Sequence, residues 1–175
     1  MINILSDTEA LAIKRAFFPS FLVTPVNSLE EAQKRGSYDD ISFSFTTLDQ
    51  LELMPVVGEK RIYIVWFEEF MLSCEREVVE LLKEYQLTFC KNSPNYLLGL
   101  SAQVLDKDIP EELRDKIFVA MEPENQKSLV LDDNQDAYPI AITNIGNYRE
   151  KREIMHASGS RGLFYGRYAI LAEEV

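Results

Sequence analysis

Histidine is almost missing from this chain. Its 175 residues include one, His156, and only two cysteines, Cys74 and Cys90. Soft ligands this few and this scattered exclude a structural zinc site and a disulfide framework, and they fit reduced thiols in a cytoplasmic setting. A Ser–His–acid triad would have to join His156 to Ser158 or Ser160, neighbours too close in sequence for that geometry. Glycine is sparse as well, and neither the lysine-ending phosphate loop nor the dinucleotide fingerprint is present. No apolar run reaches membrane-spanning length. The opening residues, Met1 to Asp7, lack the basic flank and long apolar core of a secretory signal. Basic side chains are outnumbered, 18 against 29 acidic ones, for a net charge of −11. A surface of that sign repels a duplex nucleic acid and suits a protein partner with a basic face. No membrane partner and no cofactor are expected.

What is present is an organised alternation of apolar runs and helix starts. The most continuous run is Arg61-Ile62-Tyr63-Ile64-Val65-Trp66-Phe67, bounded by Pro55 and Gly58 before it and by Glu68-Glu69 after it. A strand with both faces buried has this appearance, because neither face alternates with water. Before it come strand candidates at Ile2–Leu5, Phe21–Val26 and Ile41–Phe45. Each is followed by a capping-box pattern: Ser6 to Glu9, Ser28 to Glu31, and Thr47 to Gln50. This rhythm predicts βα units and a mostly parallel twisted sheet flanked by helices. The alternation over residues 1–91 resembles the doubly wound receiver arrangement in topology alone. Phe45-Thr46-Thr47 stands where that family carries a phospho-accepting aspartate, so its chemistry is not implied.

Later segments change character. Glu75 to Glu84 has one apolar stripe of a helix, Leu87–Cys90 is a short strand, and Ser93-Pro94 opens an apolar helix. Gly99 within that helix implies close packing. Asp108 to Glu112 begins a further helix, and Ile117–Met121 is a strand. Lys127–Leu131 and Tyr138–Thr143 are spaced as an antiparallel hairpin across Asp132-Asp133-Asn134-Gln135-Asp136. Asn147–Met155 is polar enough for a surface helix or an ordered loop, and Leu163–Leu171 closes the pattern as a strand. The fold class expected is α/β, turning α+β toward the C-terminus with an antiparallel extension. It forms one domain over 1–175, with a boundary near 105–110 as the alternative.

Charge is distributed unevenly. Ten acids and four bases lie between residues 106 and 136, whereas two acids and five bases lie between 137 and 172. The first stretch gives a partner-binding candidate: Asp132, Asp133 and Asp136 with Glu122 and Glu124. The second holds Arg149, Arg152, His156, Ser158, Ser160, Arg161 and Arg167, a mixture of guanidinium, hydroxyl and glycine-exposed backbone suited to an anion. That composition equally describes a polar loop that answers the acidic stretch. Asp7 and Glu68, each after a predicted strand, are a candidate metal pair. The same two residues equally serve as the polar starts of helices. The reading that these patterns favour is a small acidic interaction protein without catalysis, of the inhibitor or immunity-protein type familiar from bacteria and phage. The alternative is an enzyme or binding domain for a nucleotide or phosphorylated small molecule, acting through the basic 149–167 segment.

Overall fold

In the computed structural model the described residues are 7–36, 40–42, 53–66, 75–104, 108–114, 116–120, 129–131, 137–143, 153–156 and 168–175. In chain order, α1 (Asp7–Arg15) leads to β1 (Ser20–Val23), α2 (Leu29–Gly36), β2 (Asp40–Ser42) and β3 (Lys60–Trp66). Next come α3 (Glu75–Glu84), β4 (Leu87–Phe89), α4 (Ser93–Gln103) and a 3-10 turn at Glu111–Leu113. The rest is β5 (Ile117–Val119), β6 (Leu129–Leu131), β7 (Ala137–Thr143), β8 (Glu153–His156) and β9 (Tyr168–Glu174).

Local chemistry explains several boundaries. The Glu31 amide donates to Ser28 Oγ at 3.0 Å, and Glu31 Oε2 accepts from the Asn27 amide at 3.2 Å. The capping box of α2 is therefore made, with its return bond one residue further back than usual. α3 buries Val78 and Leu82, one turn apart. It ends where Gln86 turns left-handed (φ 50°), which redirects the chain into β4. α4 starts from Asn92 in the same conformation, with Pro94 in its first turn. Every residue from Ser93 to Ser101 is buried, because α4 lies against α2, β1 and β7.

The strands form one sheet in the order β1-β3-β9-β5-β7-β8-β2, with β4 added to β9 and β6 to β7. β9 is its centre. β3 pairs with one of its edges through Tyr63↔Ala172 to Trp66↔Ala169. The other edge is shared end to end, by β5 at Tyr168 to Ile170 and by β4 at Ala172 to Glu174. Size complementarity fixes this register. Ala169 lies between Trp66 and Phe118, and Ala172 between Tyr63 and Phe89, so each small side chain leaves room for an aromatic on either side.

Ile62, Tyr63, Ile64, Val65 and Trp66 are all buried, as the unbroken apolar run implies. Alternation along β3 and β9 puts Tyr63 and Glu174 on one face and Lys60 and Glu173 on the other. Arg15 of α1 and residues just past α1 and α3 lie over the first face: Tyr63 Oη and Arg15 both reach Glu174, and Phe18 packs edge-on against Tyr85. α4 covers the second, with Tyr96 beneath the Lys60 ammonium.

The mostly parallel sheet expected from the sequence is not found. Among the described pairings only β2–β8 and β5–β9 are parallel; the other six are antiparallel. A strand buried on both faces shows the same apolar run whichever way its neighbours point, and here β9 enters beside β3 from more than a hundred residues away. Two local expectations are also corrected. Glu153 to Met155, the end of the stretch read as polar helix or loop, belong with His156 to strand β8, and the helix expected after Asp108 is only the 3-10 turn. The β6–β7 hairpin pairs antiparallel as expected, Leu131 opposite Ala137. Ile2–Leu5 and the capping pattern at 47–50 lie outside the described residues. Among the described residues no helix is long and apolar enough to cross a membrane.

Candidate functional site

Most of the charged candidates fall outside the described residues: Glu68, Glu122, Glu124, Asp132, Asp133, Asp136, Arg149, Arg152, Ser158, Ser160, Arg161 and Arg167. Asp7 opens α1 and His156 ends β8. The backbone does relate the two charged segments. Leu131 and Ala137, which flank the acidic connection, are cross-strand partners, and His156 pairs with Ile140 on the same strand β7. Three residue steps along the strand take Ala137 to Ile140, about 10 Å. Strand β7 therefore takes up Leu131, the residue before the acidic connection, and His156, within the basic segment, at positions close together. Among the described residues no cluster of three or more His, Cys, Asp or Glu side chains is arranged to hold a metal ion.

The described residues bring together a different feature, one that the sequence signalled only through Pro55 and Gly58. Residues 53–59 carry no regular secondary structure, yet three side chains bind their backbone, one from the connection before α2 and two from α4. The Asn27 side chain accepts from the Val56 amide and donates to the Val56 carbonyl, both at 2.9 Å. Asn95 Nδ2 lies 3.0 Å from the carbonyl oxygens of Met54 and Val26 and from Asn27 Oδ1, sharing its two protons among them. Tyr96 Oη donates to the Gly58 carbonyl at 3.2 Å. Asn95 is almost wholly buried, where a polar side chain is tolerated only when bonded in this way. Leu53 and Val56 pack on the core. Met54 and Val57 face solvent, 58% and 92% exposed. Gly58 turns the chain back at φ 95°, a conformation that other residues resist. The segment is therefore a fixed loop with bare apolar side chains on its outer side.

Two charged networks hold the strand ends around it. Lys60 pairs with Glu173 and stands over the Tyr96 ring at 4.8 Å from its centre. Burial, the largest single influence, pulls the Lys60 pKa down, but the Glu173 hydrogen bond and the negative groups around it together push it up by more, so the ammonium stays charged. Burial raises the Tyr96 hydroxyl. On the opposite face Tyr63 Oη donates to Glu174 Oε1 at 2.5 Å, and Arg15 Nη1 lies 3.1 Å from Glu174 Oε2. The Tyr63 bond, with help from Arg15 and against burial, holds the Glu174 carboxyl below the ordinary range. Cys90 is fully buried next to the end of β4 and offers solvent no thiol.

No protein-family model, curated protein or solved structure matches this chain.

Proposed function

We propose that the chain is a protein-binding module without catalysis, of the inhibitor or immunity-protein type, that docks on a partner with a basic surface. The observation that carries this reading is the acidic connection 132–136, which joins two antiparallel strands of the sheet inside a chain of net charge −11. Acids at such a place would raise the rate of encounter with a basic face more than the strength of the final complex. The candidate contacts are Asp132, Asp133 and Asp136, with Glu122 and Glu124 beside them in sequence.

The test is capture of partners on immobilised chain at about 50 and about 300 mM salt, a range across which exposed charges become strongly screened. The combined Asp132→Asn, Asp133→Asn and Asp136→Asn variant serves as control. A partner held at low salt, released at high salt and missed by the variant is expected. A partner retained equally by the variant would remove the acidic surface from the account. Stabilisation of the chain by nucleotides, abolished by Arg161→Ala, would instead favour the basic 149–167 segment and a small-molecule ligand.

A further inference from the structure

We propose that residues 54–57 are a substrate-like wedge that enters the active-site cleft of an endopeptidase with a small apolar primary pocket, Val57 filling the pocket. The proposal rests on the reading of the chain as a protein-binding module and names its class of partner.

The backbone geometry carries it. Within one residue, N–H and C=O point the same way only when the chain is extended. Both groups of Val56 meet the Asn27 side chain, so Val56 is extended. Met54 precedes a proline, which favours the same conformation. Across a trans peptide the C=O of one residue and the N–H of the next point in opposite directions. The bonds that turn Val56 inward therefore turn the Pro55 carbonyl and the Val57 amide outward. Among the described residues neither has a hydrogen-bond partner.

An extended substrate adds to an endopeptidase cleft as a strand. In serine endopeptidases the enzyme pairs with the amide of the residue before the scissile bond and with the amide and carbonyl two residues upstream. Val57 N–H and Pro55 C=O supply two of these three groups for a scissile bond between Val57 and Gly58, and Pro55, with no N–H, leaves the third unmade. The side chain that would occupy the primary pocket, Val57, is the most exposed large apolar residue described.

The same hydrogen bonds explain why such a segment would inhibit instead of being consumed. Hydrolysis of the Val57–Gly58 bond would add one water and leave a carboxylate on Val57 and an amine on Gly58. Asn27 holds Val56 on one side of that bond, and Tyr96 holds the Gly58 carbonyl on the other. Both new ends would stay in place, so the product would neither separate nor leave the cleft readily. The loop is also ordered before binding, which removes most of the entropy cost of docking a flexible peptide.

The experiment measures the full chain against pancreatic elastase cleaving a small chromogenic peptide, with the protein recovered and weighed by mass spectrometry. Competitive inhibition is expected, with at most slow cleavage at Val57–Gly58. Val57→Asp, at a site exposed enough to leave folding intact, is expected to weaken inhibition by at least about tenfold, as for the loss of a central interface anchor. Asn27→Ala is expected to turn the loop into a readily cleaved substrate. No inhibition at about 100 µM chain, a concentration that would reveal even weak binding, would overturn the proposal. So would equal inhibition by Val57→Asp, or wild-type cleavage as fast as that of the denatured chain. The variant with Asp132, Asp133 and Asp136 changed to Asn separates the two ideas. Inhibition that survives in it, in a chain that captures no salt-sensitive partner, upholds the wedge and removes the acidic surface. Salt-sensitive capture without inhibition does the reverse.

Discussion

Gly99 is where a single hydrogen atom decides how two elements meet. A Cβ placed there would lie 2.1 Å from the Thr24 carbonyl oxygen, which belongs to backbone and has little room to move. Gly99→Ala is therefore expected to cost about 3 kcal/mol or more through overpacking. Gly58→Ala meets no neighbour and is expected to cost about 1 kcal/mol, from its left-handed backbone alone. Urea titration of the two variants checks both the sizes and the order. The close approach at Gly99 was legible in the sequence, since a glycine inside an apolar helix has few other uses. Its partner was not legible: nothing in the sequence ties Thr24 to Gly99. The same is true of Asn27, whose side chain serves Val56 as a neighbouring strand would, across 29 positions of sequence. Long-range pairs between polar side chains and backbone leave no periodic trace, so the loop they fix is not legible in the sequence, whereas segments of concentrated charge are.

Among the elements, α4 does more than fill space. The Thr24 amide donates to Gln103 Oε1 at 2.7 Å, and the Val26 amide donates to the Asn95 carbonyl at 3.0 Å. α4 thus takes up backbone groups just past β1, the outermost strand on its side of the sheet, where unpaired groups would otherwise invite a second chain. On the opposite face Arg15 joins three elements. Its Nε and Nη2 donate to the carbonyls of Tyr85 and Gln86 at the end of α3, both at 2.8 Å, and its remaining nitrogen faces Glu174 of β9. A cation there also complements the negative end of the α3 dipole.

This arrangement has a pH signature. The Glu174 carboxyl is held down by Tyr63 first and then Arg15, and that of Glu31 by the Asn27 amide first and then Arg35. A carboxyl whose folded pKa lies below its unfolded value, about 4.3, contributes stability that is present above that value and lost as pH falls through the folded one. Stability is therefore expected to drop on the acid side. Glu174→Gln should be less stable than the wild type near neutral pH, with the gap closing by about pH 3. Denaturant midpoints across that range provide the check; a gap that stays constant would mean that the charge of Glu174 contributes nothing.

For the whole molecule, the sequence disclosed which segments are strands better than it disclosed their order. The both-face burial of Ile62 to Trp66 and the β6–β7 hairpin followed from local pattern. The direction of pairing did not, because it depends on β9 entering between β3 and the β4/β5 edge. Glu153 to His156 was obscured by the charged residues just before it, although its backbone completes the link from β7 to β2. The central position of β9 makes a strong prediction. Its residues Ala169 to Ala172 are buried almost completely. A chain cut after residue 167 should lose cooperative unfolding, and a synthetic peptide of residues 168–175 should restore it. The same peptide with Leu171→Pro should not, since proline removes an amide from a strand paired on both edges. Circular dichroism melts with and without peptide would decide the matter; cooperative melting of the cut chain alone would show that the sheet closes without its centre.

The position of β9 also sets the order of events during synthesis. Every other described strand leaves the ribosome before it does; β5 ends at residue 119 and β9 begins at 168, so at about 5–20 residues per second β5 waits roughly 2–10 seconds for it, and β3 longer. During that interval β3 and β5 have helices and hairpins of their own but no common neighbour, and the apolar edges that will receive Ala169 to Ala172 stand open. The nascent protein is two halves awaiting one strand, and its exposure to proteases and to wrong partners is greatest just before translation of the last few residues described.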